Sequence, residues 1–266
     1  MSSKIMSSFV FSVVVICLLF LPFVSVAVAK QVKKKEMNSK VINIVLVGAA
    51  GSGKGTQGDL VKDRLNLLKM SAGDVLREYR KNPNNKHTKL INSLIDNGKL
   101  VPSEVVNEII GDYITKNVFK NPGKYRGVLY DGYPRQVAQL EFLDKFLSKH
   151  NNAIDLVIFI DVPVDALVDR LSGRFSCSKC GEIYHKTSKK PHVEGVCDKC
   201  GHTHFTTRAD DADTDAIRQR FALFETETKP VLENYSSRGV VFRVDGTKKP
   251  EEIAAEITKK LETIAK

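Results

Sequence analysis

The residues with the plainest chemical purpose are a run of glycines that ends in a lysine. Gly48-Ala49-Ala50-Gly51-Ser52-Gly53-Lys54 follows an apolar stretch and precedes a helical one. Glycine at these places lets backbone N–H groups turn toward an anion without interference from a Cβ. Lys54 adds a cation, and the following helix presents its positive end. That combination binds phosphate. The run departs from the usual phosphate-loop pattern at one point: Gly55 follows the lysine, where Ser or Thr is customary, and Thr56 comes next. A glycine-rich turn alone is weak evidence. A strand before it, a helix after it and a lysine in place make the pattern specific.

A second constellation is Cys177-Ser178-Lys179-Cys180-Gly181 and Cys197-Asp198-Lys199-Cys200-Gly201, with sixteen residues between the pairs. Each CxxC turn followed by Gly can fold backbone amides back toward its sulfurs, and the two together can offer four thiolates tetrahedrally. Such a set predicts a closed, structural zinc site. Two disulfides are the rival if the chain is exported. A zinc ribbon that grips nucleic acid is a third reading, but an aromatic stacking surface for it is lacking. His185, His192, His202 and His204 could substitute as ligands, though each is expected instead as an exposed side chain.

These groups need elements to hold them. The apolar runs Val41–Val47, Leu67–Met70, Gly127–Tyr130, Leu156–Asp161 and Val240–Val244 predict strands, and the first, fourth and fifth are apolar enough to be buried on both faces. Helices are predicted over Thr56–Leu65, Asp74–Tyr79, Ser103–Asn117, Gln136–Lys149, Val164–Leu171, Thr214–Tyr235 and Pro250–Ile264. Ser103 ahead of Glu104, and Pro250 ahead of Glu251 and Glu252, are start signals. Strands alternating with helices imply βαβ units and a parallel sheet covered on both sides. Two segments, 71–102 and 174–211, break the alternation and read as insertions on the core.

The chain of 266 residues is 42% hydrophobic and 27% charged, the balance of a folded domain rather than a disordered one. Its net charge of +10 suits a polyanionic partner, whether nucleotide, nucleic acid or anionic membrane, although Lys30, Lys33, Lys34 and Lys35 supply part of it locally. Phe9 to Ala29 is almost continuously apolar between Lys4 and Lys30 and contains the fifth cysteine, Cys17. Residues 1–36 therefore stand apart as an extension with three readings. It is a secretory signal ending near Ala27-Val28-Ala29, a membrane anchor, or a stretch ahead of a true start at Met37. The last gives a cytoplasmic protein, and the others an exported or anchored one through residues 1–29.

From the phosphate loop onward the chain resembles adenylate kinases and related nucleoside monophosphate kinases. The resemblance begins with Gly48 to Gln57. It continues through Ser71-Ala72-Gly73-Asp74-Val75-Leu76-Arg77, Gly98-Lys99-Leu100-Val101-Pro102 and Asp131-Gly132-Tyr133-Pro134-Arg135. Asp161-Val162-Pro163, Gly173-Arg174, the cysteine pairs, Arg208-Ala209-Asp210-Asp211 and Val244-Asp245-Gly246-Thr247 complete it. These motifs occur in the family's order across about 41–264. The resemblance implies an α/β fold: a P-loop-type five-stranded parallel sheet flanked by helices, with 37–266 as the kinase core. It also implies that 71–102 is the NMP-binding insertion and 174–211 the zinc-stapled lid, hinging near Gly73, Gly98 and Gly173.

The implied reaction is reversible phosphoryl transfer from ATP, with Mg2+, to AMP, giving two ADP. Lys54, Asp131, Arg135, Arg170, Arg174, Arg208 and Arg220 would do the catalytic work. Gly51, Ser52, Gly53, Lys54, Gly55, Thr56, Arg170 and Arg174 would hold ATP. Ala72, Arg77, Leu100, Val101, Gly132, Arg135, Gln139, Arg208 and Arg220 would hold AMP. Phosphoryl transfer asks a protein for positioning and charge stabilisation, and arginine is suited to both. Asp131, with Thr56 nearby, would organise Mg2+ through water. No general base and no phosphoenzyme are expected. The stretch from Asp211 to Arg220 is one residue longer than is usual in the family, and Arg218 is the expected bystander.

Gln139 matches the position that reads the adenine edge, whereas Ala72 stands where adenylate kinases usually carry Thr and resembles the uridylate–cytidylate kinases. A pyrimidine monophosphate kinase is therefore the alternative within the family. A P-loop switch and a nucleic-acid-binding zinc ribbon are the alternatives outside it. The reading carried forward is a monomer that takes nucleotides as partners and no nucleic acid, meeting a membrane if residues 1–36 are retained.

Overall fold

The computed structural model describes residues 41–95, 99–207, 211 and 214–264. The expectations for residues 1–36, for a hinge at Gly98 and for Arg208 lie outside the described residues. In chain order the first elements are β1 (Ile42–Val47), α1 (Lys54–Val61), β2 (Leu67–Ser71), α2 (Ala72–Tyr79), α3 (Thr88–Ile95) and α4 (Ser103–Ile114). Next come β3 (Gly127–Asp131), α5 (Val137–Ser148), β4 (Leu156–Asp161), α6 (Val164–Ser172), β5 (Arg174–Cys177), β6 (Ile183–His185) and β7 (Phe205–Thr206). The chain finishes with α7 (Thr214–Leu223), α8 (Lys229–Ser237), β8 (Val241–Asp245) and α9 (Pro250–Ile264). These elements belong to a compact unit comprising Val41–Asn121 and Tyr125–Lys266.

The expected parallel sheet is present, in the order β2-β3-β1-β4-β8, with β1 central. All six residues of β1 are buried, and its alternation divides the core. Ile42, Ile44 and Leu46 join Val61, Leu167, Ile253, Ile257 and Leu261 on the side of α1, α6 and α9. Val45 and Val47 join Ile110, Ile114, Leu140, Leu143, Val231 and Tyr235 on the side of α4, α5 and α8. Successive strand residues face opposite layers, so a strand clamped between two helix layers is mostly apolar. The buried polar residue of β1, Asn43, donates to the Val41 carbonyl and accepts from the Tyr130 hydroxyl. Gly127 admits the close pairing of β3 with β1, because a Cβ there would lie 2.2 Å from the Ile42 carbonyl oxygen. The register sets Asp131 beside Leu46 and Ser71, so the chemistry-bearing ends of β1, β2 and β3 emerge together.

The helices depart from expectation in three places. The segment 71–102 carries an additional helix, α3, whose Ile91 is fully buried. The helix predicted over Ser103–Asn117 closes in a wider turn at Thr115–Phe119, where the Lys120 N–H reaches back five residues to the Thr115 carbonyl. The single helix predicted over Thr214–Tyr235 is two, α7 and α8, joined by another wide turn at Phe224–Thr228. Pro230 explains the break. It has no N–H to donate and its ring crowds the carbonyl four residues back, so the preceding Lys229 N–H pairs with Phe224 instead.

Residues 174–206 form a small antiparallel sheet, ordered β6-β5-β7. Its core is Phe175, Tyr184 and Phe205 packed against the four cysteines. No helix among the described residues is long and apolar enough to cross a membrane.

Candidate active site

The loop after β1 folds as its glycines allow. Gly51 and Gly53 have φ of 81° and 97°, values that suit glycine, and Gly53 caps α1 by accepting the Gln57 N–H at 2.9 Å. The Lys54 ammonium curls back into the loop and donates to the carbonyls of Gly48 (2.7 Å) and Ala49 (2.8 Å) and to Ser52 Oγ (3.4 Å). Desolvation lowers its pKa to about 7; Asp131 pulls the other way, while Arg135, Arg220 and Arg174 add to the fall. One lysine is thus close to an aspartate and three arginines drawn from four separate elements. Thr56 is half-buried in the first turn of α1. A Cβ at Gly55 would stand 3.7 Å from both Asp131 Oδ2 and Ile183 Cδ1, so this turn lies between the end of β3 and the small sheet.

Beyond β3, Gly132 has φ of 72°, and Arg135 folds back so that its Nε donates to the Gly132 carbonyl at 3.0 Å. The Arg135 N–H donates to Gln139 Oε1 at 2.8 Å, and Gln139 is buried in the first turn of α5. At the start of α2, Ala72 is buried, and Ser71 caps the helix by accepting the Asp74 N–H at 3.4 Å. Arg77 pairs with Asp74 and crosses Gly73, where a Cβ would meet its guanidinium at 3.1 Å. Val101 is buried, and Leu100 lines a cavity of about 320 Å³ with Lys99, Gln219, Ala222, Leu223 and Thr226.

The other arginines divide clearly. Arg170 Nη2 donates to the Gly246 carbonyl at 2.9 Å. That contact adjoins a cavity of about 540 Å³ lined by Asp161, Pro163, Arg243, Val244, Asp245 and Thr247. Arg174 grips Asp211 with two hydrogen bonds, of 2.6 and 2.7 Å, and Arg220 binds the same carboxylate at 2.6 Å. The Asp211 side chain is fully buried and those of Arg174 and Arg220 are 15% and 17% exposed, so the triad is an inner structure. Arg218 is 74% exposed and pairs with Asp215. The longer spacing after Asp211 therefore still delivers Arg220, rather than Arg218, toward Lys54.

Sequence reasoning missed several residues here. Asp211 was legible as part of a motif but not as the anchor of two arginines. Lys69 on β2 donates to the Gly55 carbonyl and to Asp59 Oδ2, both at 2.8 Å, and so steadies the first turn of α1. Ile183 gave no signal, since an exposed and a site-facing isoleucine read alike.

In the small sheet the two CxxC turns are built alike. Gly181 N–H donates to the Cys177 carbonyl and Gly201 N–H to the Cys197 carbonyl, at 2.9 and 2.8 Å, with φ of 74° and 67° at the glycines. All four cysteines are unbridged in this structure. Their sulfurs lie within 4.8 Å of one another, with Cys177–Cys200 at 3.6 Å and Cys180–Cys197 at 3.5 Å. Four thiolates at about 2.3 Å around a tetrahedral ion stand roughly 3.8 Å apart, so the set fits zinc. Desolvation tends to raise the Cys197 thiol, but hydrogen bonds from the Tyr184 hydroxyl and from the Lys199 and Cys200 backbone lower it to about 6. His185 corrects an expectation: it is buried rather than exposed. Its Nε2 lies 3.2 Å from the Asp169 carbonyl, and its Nδ1 accepts the N–H groups of Thr187 and Ser188. The ring occupies the space that a Cβ at Gly173 would need.

The adenylate kinase family model matches residues 46–240. The chain is 41% identical over 219 residues to the adenylate kinase of Erythrobacter litoralis, covering 81% of this chain and 98% of that one. It is 39% identical over 216 residues to the adenylate kinase of Zymomonas mobilis, covering 81% and 94%. Against the adenylate kinase of Caldanaerobacter subterraneus it is 38% identical over 220 residues, covering 83% and 96%. With the glycine loop, the arginine pair on Asp211 and the parallel sheet arranged as described, these likenesses extend over most of the chain, and the chain belongs to the adenylate kinase family.

Proposed function

We propose that this protein transfers the γ-phosphoryl group of ATP to AMP, reversibly, giving two ADP. The observation that carries the reading is the convergence of Asp131, Arg135, Arg174 and Arg220 on Lys54. A phosphate-binding loop needs one anion; a second arginine on a separate turn, beside Gln139, argues for a second nucleotide. An oxygen of the AMP phosphate attacks the γ-phosphorus in line, the bond to the β–γ bridging oxygen breaks, and ADP leaves with that electron pair. The attacking oxygen is already anionic, so no proton needs removal and no side chain becomes phosphorylated. The arginines and Lys54 stabilise the charge spread over the transferring group.

In this reading Gly51, Ser52, Gly53, Lys54, Gly55 and Thr56 hold the ATP phosphates, with Arg170 and Arg174 on the same nucleotide. Arg77 and Arg135 hold the AMP phosphate, Arg208 and Arg220 span the two, and Ala72, Leu100, Val101, Gly132 and Gln139 enclose AMP. Segment 71–102 is the acceptor insertion and 174–211 the lid, bending near Gly73 and Gly173, and closure excludes water that would otherwise turn transfer into hydrolysis. Asp131, with Thr56, would hold Mg2+ through its waters; the ion would supply charge neutralisation between the phosphates. Cys177, Cys180, Cys197 and Cys200 would hold a structural zinc. A cytoplasmic monomer with no role for nucleic acid fits this activity. The relatives are named adenylate kinases, which disfavours the pyrimidine alternative.

Three outcomes are expected. With residues 37–266, ATP and Mg2+, ADP forms mainly when AMP is the acceptor rather than GMP, CMP or UMP; transfer to none of them returns a P-loop switch to first place. At pH 8 the Lys54 amine is largely neutral, and a phosphate anion favours its ammonium form. ATP binding at pH 8 therefore takes up close to one proton and much less at pH 6, read by calorimetry in buffers of different ionisation enthalpy. Uptake that does not vary with pH, or survives Lys54→Met, contradicts this. Stripping zinc lowers the melting temperature by several degrees while leaving most activity at low temperature. Loss of activity with no fall in melting temperature would make the metal catalytic.

A further inference from the structure

Gln139 ends a chain of hydrogen bonds whose direction is fixed from both sides. At one end the Arg135 N–H, which can donate but not accept, binds Gln139 Oε1 at 2.8 Å. Gln139 Nε2 lies 3.4 Å from Gln136 Oε1, and that oxygen also accepts from Ser103 Oγ at 2.7 Å. Gln136 Nε2 then donates to Glu227 Oε2 at 2.9 Å. An ionised carboxylate accepts but cannot donate. Glu227 therefore dictates which way the Gln136 amide faces, and Gln136 dictates which way the Gln139 amide faces. Reversing Gln136 would set its oxygen against a carboxylate and its NH2 against the Gln139 NH2. Glu227 reaches this position from the wide turn at Phe224–Thr228, the irregularity that Pro230 imposes between α7 and α8.

We propose that Glu227 and Gln136 are positioning residues for base choice: they hold the Gln139 amide in the one sense that complements a 6-amino purine. This rests on the reading of Gln139 as the group that meets the acceptor base. Adenine offers an amino donor beside a ring-nitrogen acceptor. Hypoxanthine offers the reverse, a carbonyl acceptor beside a ring N–H. An amide has a second lone pair and a second N–H beyond those used in the chain, and held in this sense it satisfies adenine and opposes hypoxanthine. An amide able to turn over tolerates both. Turning would still cost the Arg135 bond, so discrimination weakens without vanishing.

The test compares kcat/KM for AMP and IMP, with ATP as donor, in the full chain and in variants. Glu227→Gln can present its amide either way and should lower the AMP-to-IMP ratio by about tenfold, mainly through KM for IMP. The exchanged pair, Gln136→Glu with Glu227→Gln, places an acceptor at position 136 and a donor amide at position 227, and should restore the ratio. Gln139→Ala should lower the ratio by itself, and Glu227→Gln should then add nothing. The proposal is overturned if Glu227→Gln leaves the ratio within twofold while Gln139→Ala changes it, or if the exchange fails to restore it. A ratio unchanged in Gln139→Ala removes the base reading itself, and this proposal with it.

Discussion

Like charges must be held together in this molecule before anything else can happen. Lys54, Arg135, Arg174 and Arg220 come from the first turn of α1, the segment between β3 and α5, strand β5 and helix α7, and they repel one another. The buried carboxylate of Asp211 offsets that repulsion for two of them at once, with three hydrogen bonds at 2.6 to 2.7 Å. Breaking such a buried network leaves uncompensated charge, which costs several kcal/mol. Asp211 therefore joins β5 of the small sheet to α7 of the core and sets both guanidinium groups on one carboxylate. Preorganisation of this kind is where phosphoryl transfer gains most, since the charge it must stabilise is spread and transient.

The rest of the fold follows from that requirement. A parallel sheet with β1 at its centre brings the ends of β1 and β3 side by side, which sets the phosphate loop next to Asp131. The loop in turn needs glycine at Gly51 and Gly53, because its backbone turns through left-handed conformations there. His185, lodged where Gly173 lacks a Cβ, packs β6 against the end of α6. Four thiols, their sulfurs within 4.8 Å of one another, sit at the centre of a sheet whose apolar core is small.

How much of this was legible depends on the kind of signal. Ile42–Val47 and Leu156–Asp161 announce themselves because central strands of a sheet covered on both faces are mostly apolar. The phosphate loop and the cysteine pairs were legible because their chemistry demands fixed residue types at fixed spacing. Strands β5, β6 and β7 were not, since two to four residues are too few for a period to show. His185 looked exposed because its burial depends on Gly173, a neighbour in space and not in a recognisable pattern. The split at Phe224–Thr228 was hidden in an amphipathic stretch, although Pro230 marked the place. The hydrogen-bond chain from Glu227 to Gln139 joins residues 88 positions apart, and no local rule connects them.

The central claim is that Asp211 aligns Arg174 and Arg220 for transfer, and Asp211→Asn tests it most directly. The substitution keeps the shape and removes the charge that holds both arginines. Steady-state transfer from ATP to AMP, measured at a temperature where circular dichroism shows the variant folded, should lose about a hundredfold in kcat, the scale of loss expected when reacting groups are misplaced by roughly 1 Å. A variant that retains kcat within twofold would contradict the account, because the arginines would then be held in place by something other than Asp211.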